Sequence, residues 1–173
     1  MFEGWDEFYF MTGSSAAALI GLLFVVATLT AGRDRSTMEA GQKIFITPLV
    51  WHFGAVLVLS AAALVPSVTP LPYALLSGAI ALVGVGFGVW ITIRISRAPQ
   101  GIEAGWFDIW WYGIFTTIIY VLLGVAAAAI CSGASWALVG LAVVQMSLLL
   151  TTIHNAWDLV TYLAPRADPP ARG

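Results

Sequence analysis

The chain has 173 residues, of which 60% are hydrophobic and only 9% charged, whereas a water-soluble domain carries about a quarter charged residues. That composition excludes a soluble globular domain, and a formal net charge of −2 gives no basis for a nucleic-acid partner. A single cysteine, Cys131, excludes an intrachain disulfide framework and a multi-cysteine metal cluster within one subunit.

Five apolar runs are long enough to cross a hydrocarbon core of about 30 Å, which takes roughly 20 helical residues. They lie near 9–31, 45–65, 73–95, 106–131 and 136–163. The expectation is an all-α polytopic membrane protein, one bundle of five transmembrane helices with no room for a separate soluble domain. The opening MFEGWDEFYF carries Glu3, Asp6 and Glu7 where a secretory signal has basic residues, so the first span is expected to stay in the mature protein.

That first span, FMTGSSAAALIGLLFVVATLTA, aligns Ser14, Ala17, Ala18, Gly21 and Thr28 on one side. In the third span Ser77, Ala81, Gly84 and Gly88 align, and in the fourth Gly113, Thr117, Gly124, Ala127 and Ala128 align with Tyr120. Small residues let helix backbones approach where lipid offers no hydrophobic drive, so these faces are expected to be packing seams. The second span, IFITPLVWHFGAVLVLSAAALV, carries His52 with Pro48 about one turn before it, and proline frees backbone carbonyls near the ring. Aromatics gather at the span ends: Trp5, Phe8 and Tyr9; Trp106, Trp110, Trp111 and Tyr112; Trp136; Trp157 and Tyr162. Rings with one wet end settle at headgroup depth.

Between the spans, the linkers divide by charge. Arg33, Arg35 and Lys43 lie in the first, Arg94 and Arg97 at the third, Arg166 and Arg172 in the tail, and the second and fourth hold no basic residue. The positive-inside rule then places the N-terminus outside and the C-terminus in the cytoplasm.

The fifth span, WALVGLAVVQMSLLLTTIHNAWDLVTY, carries several groups that a membrane rejects. At 100° per residue Gly140, Ser147, Thr151, His154, Asp158 and Thr161 share one side. An ionisable group at bilayer depth costs on the order of 2.5 kcal/mol or more unless protein or water shelters it, so this face is expected to point into the bundle. Gln145 falls on the opposite side. Counted from Lys43 and from Tyr162, His52 and His154 lie about 13 and 12 Å into their spans, so a pairing of the second and fifth helices would bring the rings within reach. Asp158, one turn past His154, can accept a hydrogen bond from the ring or pair with its protonated form.

Three readings of His52, His154, Asn155, Asp158, Thr151 and Ser147 stay open. They are interhelical contacts that fix register, a proton or cation pathway open to the cytoplasm, or, through His52 and His154 alone, axial ligands of a haem or a transition metal. Enzymatic chemistry is not expected. Cys131 lies at the far end of its span from both histidines, and no GxSxG elbow, HExxH helix or phosphate-cradling glycine loop is present. The opening FYFMTGSSAAALIGLLFVVATLTAG and the late IHNAWDLVTYL resemble a group of small bacterial inner-membrane proteins of uncharacterised function, with a Gly/Ala-rich first span and an Asn-Ala-Trp-Asp-Leu-like element near the end. The resemblance implies a bacterial membrane protein with similar spans, and neither an activity nor a substrate. The expected function is a proton or ion conduit with no resident cofactor, set in the lipid bilayer as a homo-oligomer or within a larger complex. The alternative is a non-catalytic accessory or regulatory membrane subunit.

Overall fold

The computed structural model describes residues 1–30, 46–97 and 106–163, and every regular element among them is helical. The helices are α1 (Asp6–Thr30), α2 (Thr47–Ala63), α3 (Pro70–Ser96), α4 and α5 (Ala137–Leu163). Helix α4 is continuous but composite: a short α segment Trp106–Asp108, a π-helical segment Ile109–Phe115 and an α segment Thr116–Cys131. Four of the five, α1, α3, α4 and α5, are long and apolar enough to cross a membrane, with mean hydropathies of 1.8 to 2.4. Helix α2 is equally apolar but has 17 residues, about 26 Å of rise. Arg33, Arg35, Lys43, Arg166 and Arg172 lie outside the described residues.

The boundaries follow local chemistry. Helix α3 begins three residues before the expected 73, inside the second linker, which carries Pro66, Pro70 and Pro72. Thr69 is extended (φ −93°, ψ 155°) and Pro70 opens the helix, where its missing N–H is no loss and its fixed φ suits the first turn. The turn from α4 to α5 needs a left-handed residue, and Gly133 supplies it at φ 68°. Its N–H donates to Ile130 O (3.1 Å) and that of Ala134 to Ala129 O (3.0 Å), the paired bonds of a Schellman cap.

Packing is closest between α3 and α4, and next between α1 and α2, while α5 lies against both α4 and α2. The small-residue faces expected on the third and fourth spans meet each other: Ser77, Ala81, Gly84 and Gly88 are buried, as are Gly113, Tyr120 and Ala127, whereas Ala128 is exposed. A Cβ at Gly84 would collide with the Tyr120 ring, and one at Gly88 with Thr117 Oγ1. Within the π segment, a Cβ at Gly113 would collide with Thr92 Oγ1. The Thr116 hydroxyl donates to the carbonyl of Trp111, five residues back (3.0 Å), and so occupies an acceptor that the wider turn frees.

Helix α1 departs from expectation. Ser14, Ala17, Ala18, Gly21 and Thr28 are not buried in a seam; Ser14, Ala17, Ala18 and Gly21 are exposed, and the buried side is Tyr9, Thr12, Gly13, Ala16 and Leu23. The close approach to α2 is made by Gly13, where a Cβ would stand 2.9 Å from Ser60 Cβ. Of the expected boundary aromatics, Trp106, Trp110, Trp136 and Trp157 are exposed. Tyr9 and Tyr112 are buried instead, and Tyr9 packs edge-on against Phe2 at 5.0 Å.

Candidate functional site

Three buried polar groupings cross the helix interfaces. At one, Thr12 of α1, Ser60 of α2 and Gln145 of α5 meet, all buried. Thr12 Oγ1 and Ser60 Oγ are 3.0 Å apart, and the Gln145 amide donates to Thr12 Oγ1 (3.2 Å) and to Ser60 Oγ. Thr12 passes its own proton to the carbonyls of Phe8 (3.0 Å) and Tyr9 (3.2 Å). Three helices are thereby tied through buried side chains that satisfy one another.

At the second grouping His52, 1% exposed, stands with Nδ1 2.8 Å from the Tyr120 hydroxyl. Gly84 makes room for the Tyr120 ring, since a side chain there would occupy the ring's position. The pair can be written with the phenol donating to a ring whose proton is on Nε2, or with Nδ1–H donating to the phenol oxygen. At the third, the Tyr112 hydroxyl donates to the backbone carbonyl of Asn155 (2.6 Å). The Asn155 side chain is 1% exposed, and among the described residues neither its Oδ1 nor its Nδ2 has a hydrogen-bond partner. The order of the three is the same on each helix that carries two of them: Tyr112 then Tyr120 on α4, His52 then Ser60 on α2, Asn155 back to Gln145 on α5. Buried Val56 lies between His52 and Ser60 on α2, and buried Leu148 between Gln145 and Asn155 on α5.

The stripe expected to face inward on α5 is therefore turned the other way. His154 and Asp158 form a pair, Nε2 to Oδ2 3.3 Å, but their side chains are 44% and 50% exposed. Ser147 is partly exposed with its hydroxyl on Val143 O, Thr161 is exposed, and of the stripe only Thr151 is buried. The buried line is Leu141, Gln145, Leu148, Thr152, Asn155 and Leu159. Its leucines gain most from contact with α2 and α4, and Gln145 finds partners on two helices that His154 would not reach. The two histidines have separate partners: His52 meets Tyr120, and His154 packs on Trp111 with ring centroids 4.3 Å apart. Neither a hydrogen bond nor a ring contact joins them. Among the described residues no three His, Cys, Asp or Glu side chains cluster as a metal site would require. His154 Nε2 faces Asp158, so the geometry does not set up two imidazoles across a haem.

His52 and Asn155 stand out in the sequence as polar groups within apolar spans, whereas Thr12, Ser60 and the role of Tyr120 as a partner emerge only from the fold. A phenol in the middle of a glycine-lined span must find a partner for its hydroxyl, and His52 was the one buried imidazole to offer it. No family model, curated protein or solved structure matches the chain.

Proposed function

We propose that the protein is a bacterial inner-membrane protein of five spans, N-terminus outside, that carries protons or a small cation along the three polar groupings. The observation that carries this reading is Asn155. A buried amide with no partner costs about 1–3 kcal/mol, and a leucine at that position would avoid the penalty. An unsatisfied amide is instead a place for a transient water or a partly hydrated cation to bind. Asn155 lies at the cytoplasmic end in the topology given by the basic linkers, and His52–Tyr120 and Thr12–Ser60–Gln145 continue toward the other face. Val56 and Leu148 then act as the apolar barrier that keeps the path dry at rest. The test is flux into proteoliposomes of the purified chain under an imposed proton or cation gradient, with Asn155→Leu and His52→Phe beside the wild type.

A second reading, an accessory or regulatory membrane subunit, is favoured by the perimeter. A half-exposed His154–Asp158 pair and an exposed small-residue face on α1 suit contact with protein better than contact with lipid. Co-purification with a larger complex, together with no flux from the isolated chain, would establish it.

A further inference from the structure

Asp158 and Arg94 stand at the same level on two separate faces of the bundle. Helix α4 fixes that level. Its Gly113 is in contact with Thr92 of α3, and its Tyr112 reaches the Asn155 carbonyl of α5. Arg94 lies two residues beyond Thr92 and Asp158 three beyond Asn155, about 3 and 4.5 Å further along helices that both run antiparallel to α4. Helices α3 and α5 each pack on α4 and have at most slight contact with one another, so the two charges lie on its two flanks.

Each charge is exposed, and among the described residues neither has a Lys, Arg, Asp or Glu side chain within ion-pair distance. The Arg94 guanidinium sits 5.3 Å above the Trp90 ring, which Phe87 stacks from the same helix at 5.6 Å. Aromatic stacking holds a guanidinium in place and leaves its donors free to bind a carboxylate. Among the described residues Asp158 has only His154 within ion-pair distance. On a chain that spans a membrane, a carboxylate and a guanidinium so near hydrocarbon are each better placed opposite the other than opposite acyl chains.

We propose that copies of this chain associate head to tail, with Arg94 of one copy pairing with Asp158 of the next. The two surfaces differ, so the contact is heterologous, and in the plane of a membrane it propagates until a ring closes. This proposal is independent of what crosses the bundle.

Crosslinking of the full chain in liposomes tests it, in a Cys131→Ser background carrying Arg97→Cys and Thr161→Cys together, exposed positions three residues beyond Arg94 and Asp158 that leave both charges in place. An Arg–Asp pair holds its Cβ atoms farther apart than the roughly 4 Å of a disulfide, so a short flexible bis-maleimide is the probe. The expected product is a ladder extending beyond the dimer, with each single-cysteine variant uncrosslinked. Equal crosslinking in the single-cysteine variants would mean a two-fold contact and would overturn the proposal, as would no intermolecular product. Light scattering of charge variants gives a second readout. Asp158→Arg and Arg94→Asp should each weaken association roughly tenfold, and the two exchanged in one chain should restore it. A monomeric wild type, or no restoration, also overturns the head-to-tail contact.

Discussion

Replacing Gly84 by alanine isolates the contact on which the position of Tyr120 depends. The new Cβ would fall on the Tyr120 ring, and that ring is fully buried, so it cannot swing aside without opening the α3–α4 seam. Overpacking a close-packed core costs about 1–3 kcal/mol. Displacing the ring also breaks its 2.8 Å bond to His52, worth about 0.6 kcal/mol for an average hydrogen bond between membrane helices. Alanine is the better helix former by up to about 1 kcal/mol, which partly masks the loss. Gly86→Ala supplies the control: it lies one half-turn on in the same helix, is exposed, and has nothing within 4 Å of its added Cβ. The propensity gain is common to both variants and cancels, leaving Gly84→Ala less stable than Gly86→Ala by about 2–4 kcal/mol. Unfolding in mixed micelles by titration with a denaturing detergent measures the difference. A gap below about 0.5 kcal/mol, within the scatter of ordinary surface substitutions, would refute the packing of Tyr120 against Gly84.

Gln145→Leu keeps the side-chain volume but removes two hydrogen bonds to Thr12 and Ser60, so the same titration should register a loss of about 1 kcal/mol; a silent substitution would mean that the three-helix tie is not made. Asn155→Leu should leave stability unchanged or raise it by about 1 kcal/mol, because it removes a buried amide with no partner. A loss of 2 kcal/mol or more would show that the amide is satisfied after all. For topology, single cysteines in a Cys131→Ser background should label from outside at residue 67 and not at residue 100, the reverse pattern contradicting the orientation given by the basic linkers.

How much of this was legible in the residues differs from helix to helix. The inward face of α3 could be read from spacing because Ser77, Ala81, Gly84 and Gly88 recur at intervals of four, three and four residues along one side. The inward face of α5 could not, because that helix has two polar lines. His154 and Asp158 are the more polar by type, yet Gln145, Thr152 and Asn155 are interleaved with Leu141, Leu148 and Leu159, and the leucines decide which side is buried. On α1 the longer small-residue face is Ser14–Ala17–Ala18–Gly21, but the contact to α2 needs one residue without a side chain beside one hydroxyl, Gly13 and Thr12. Pair preferences of that kind depend on Ser60, 48 residues away, and have no local signature. The π segment Ile109–Phe115 is equally silent in sequence: its aromatic run reads as a boundary belt, while the extra residue in its turn is accommodated through Thr116 and Gly113.

Flux from the purified chain tests the central claim most directly. Proteoliposomes holding wild-type protein, His52→Phe or Asn155→Leu are loaded with a pH-sensitive dye and given a proton gradient, and parallel vesicles receive a potassium or sodium gradient. The account predicts a flux above empty vesicles that falls at least tenfold, on the order of 1.4 kcal/mol in barrier, in both variants while their folded fraction matches the wild type. Wild-type vesicles no leakier than empty ones under every gradient, with the protein folded and inserted, would contradict it.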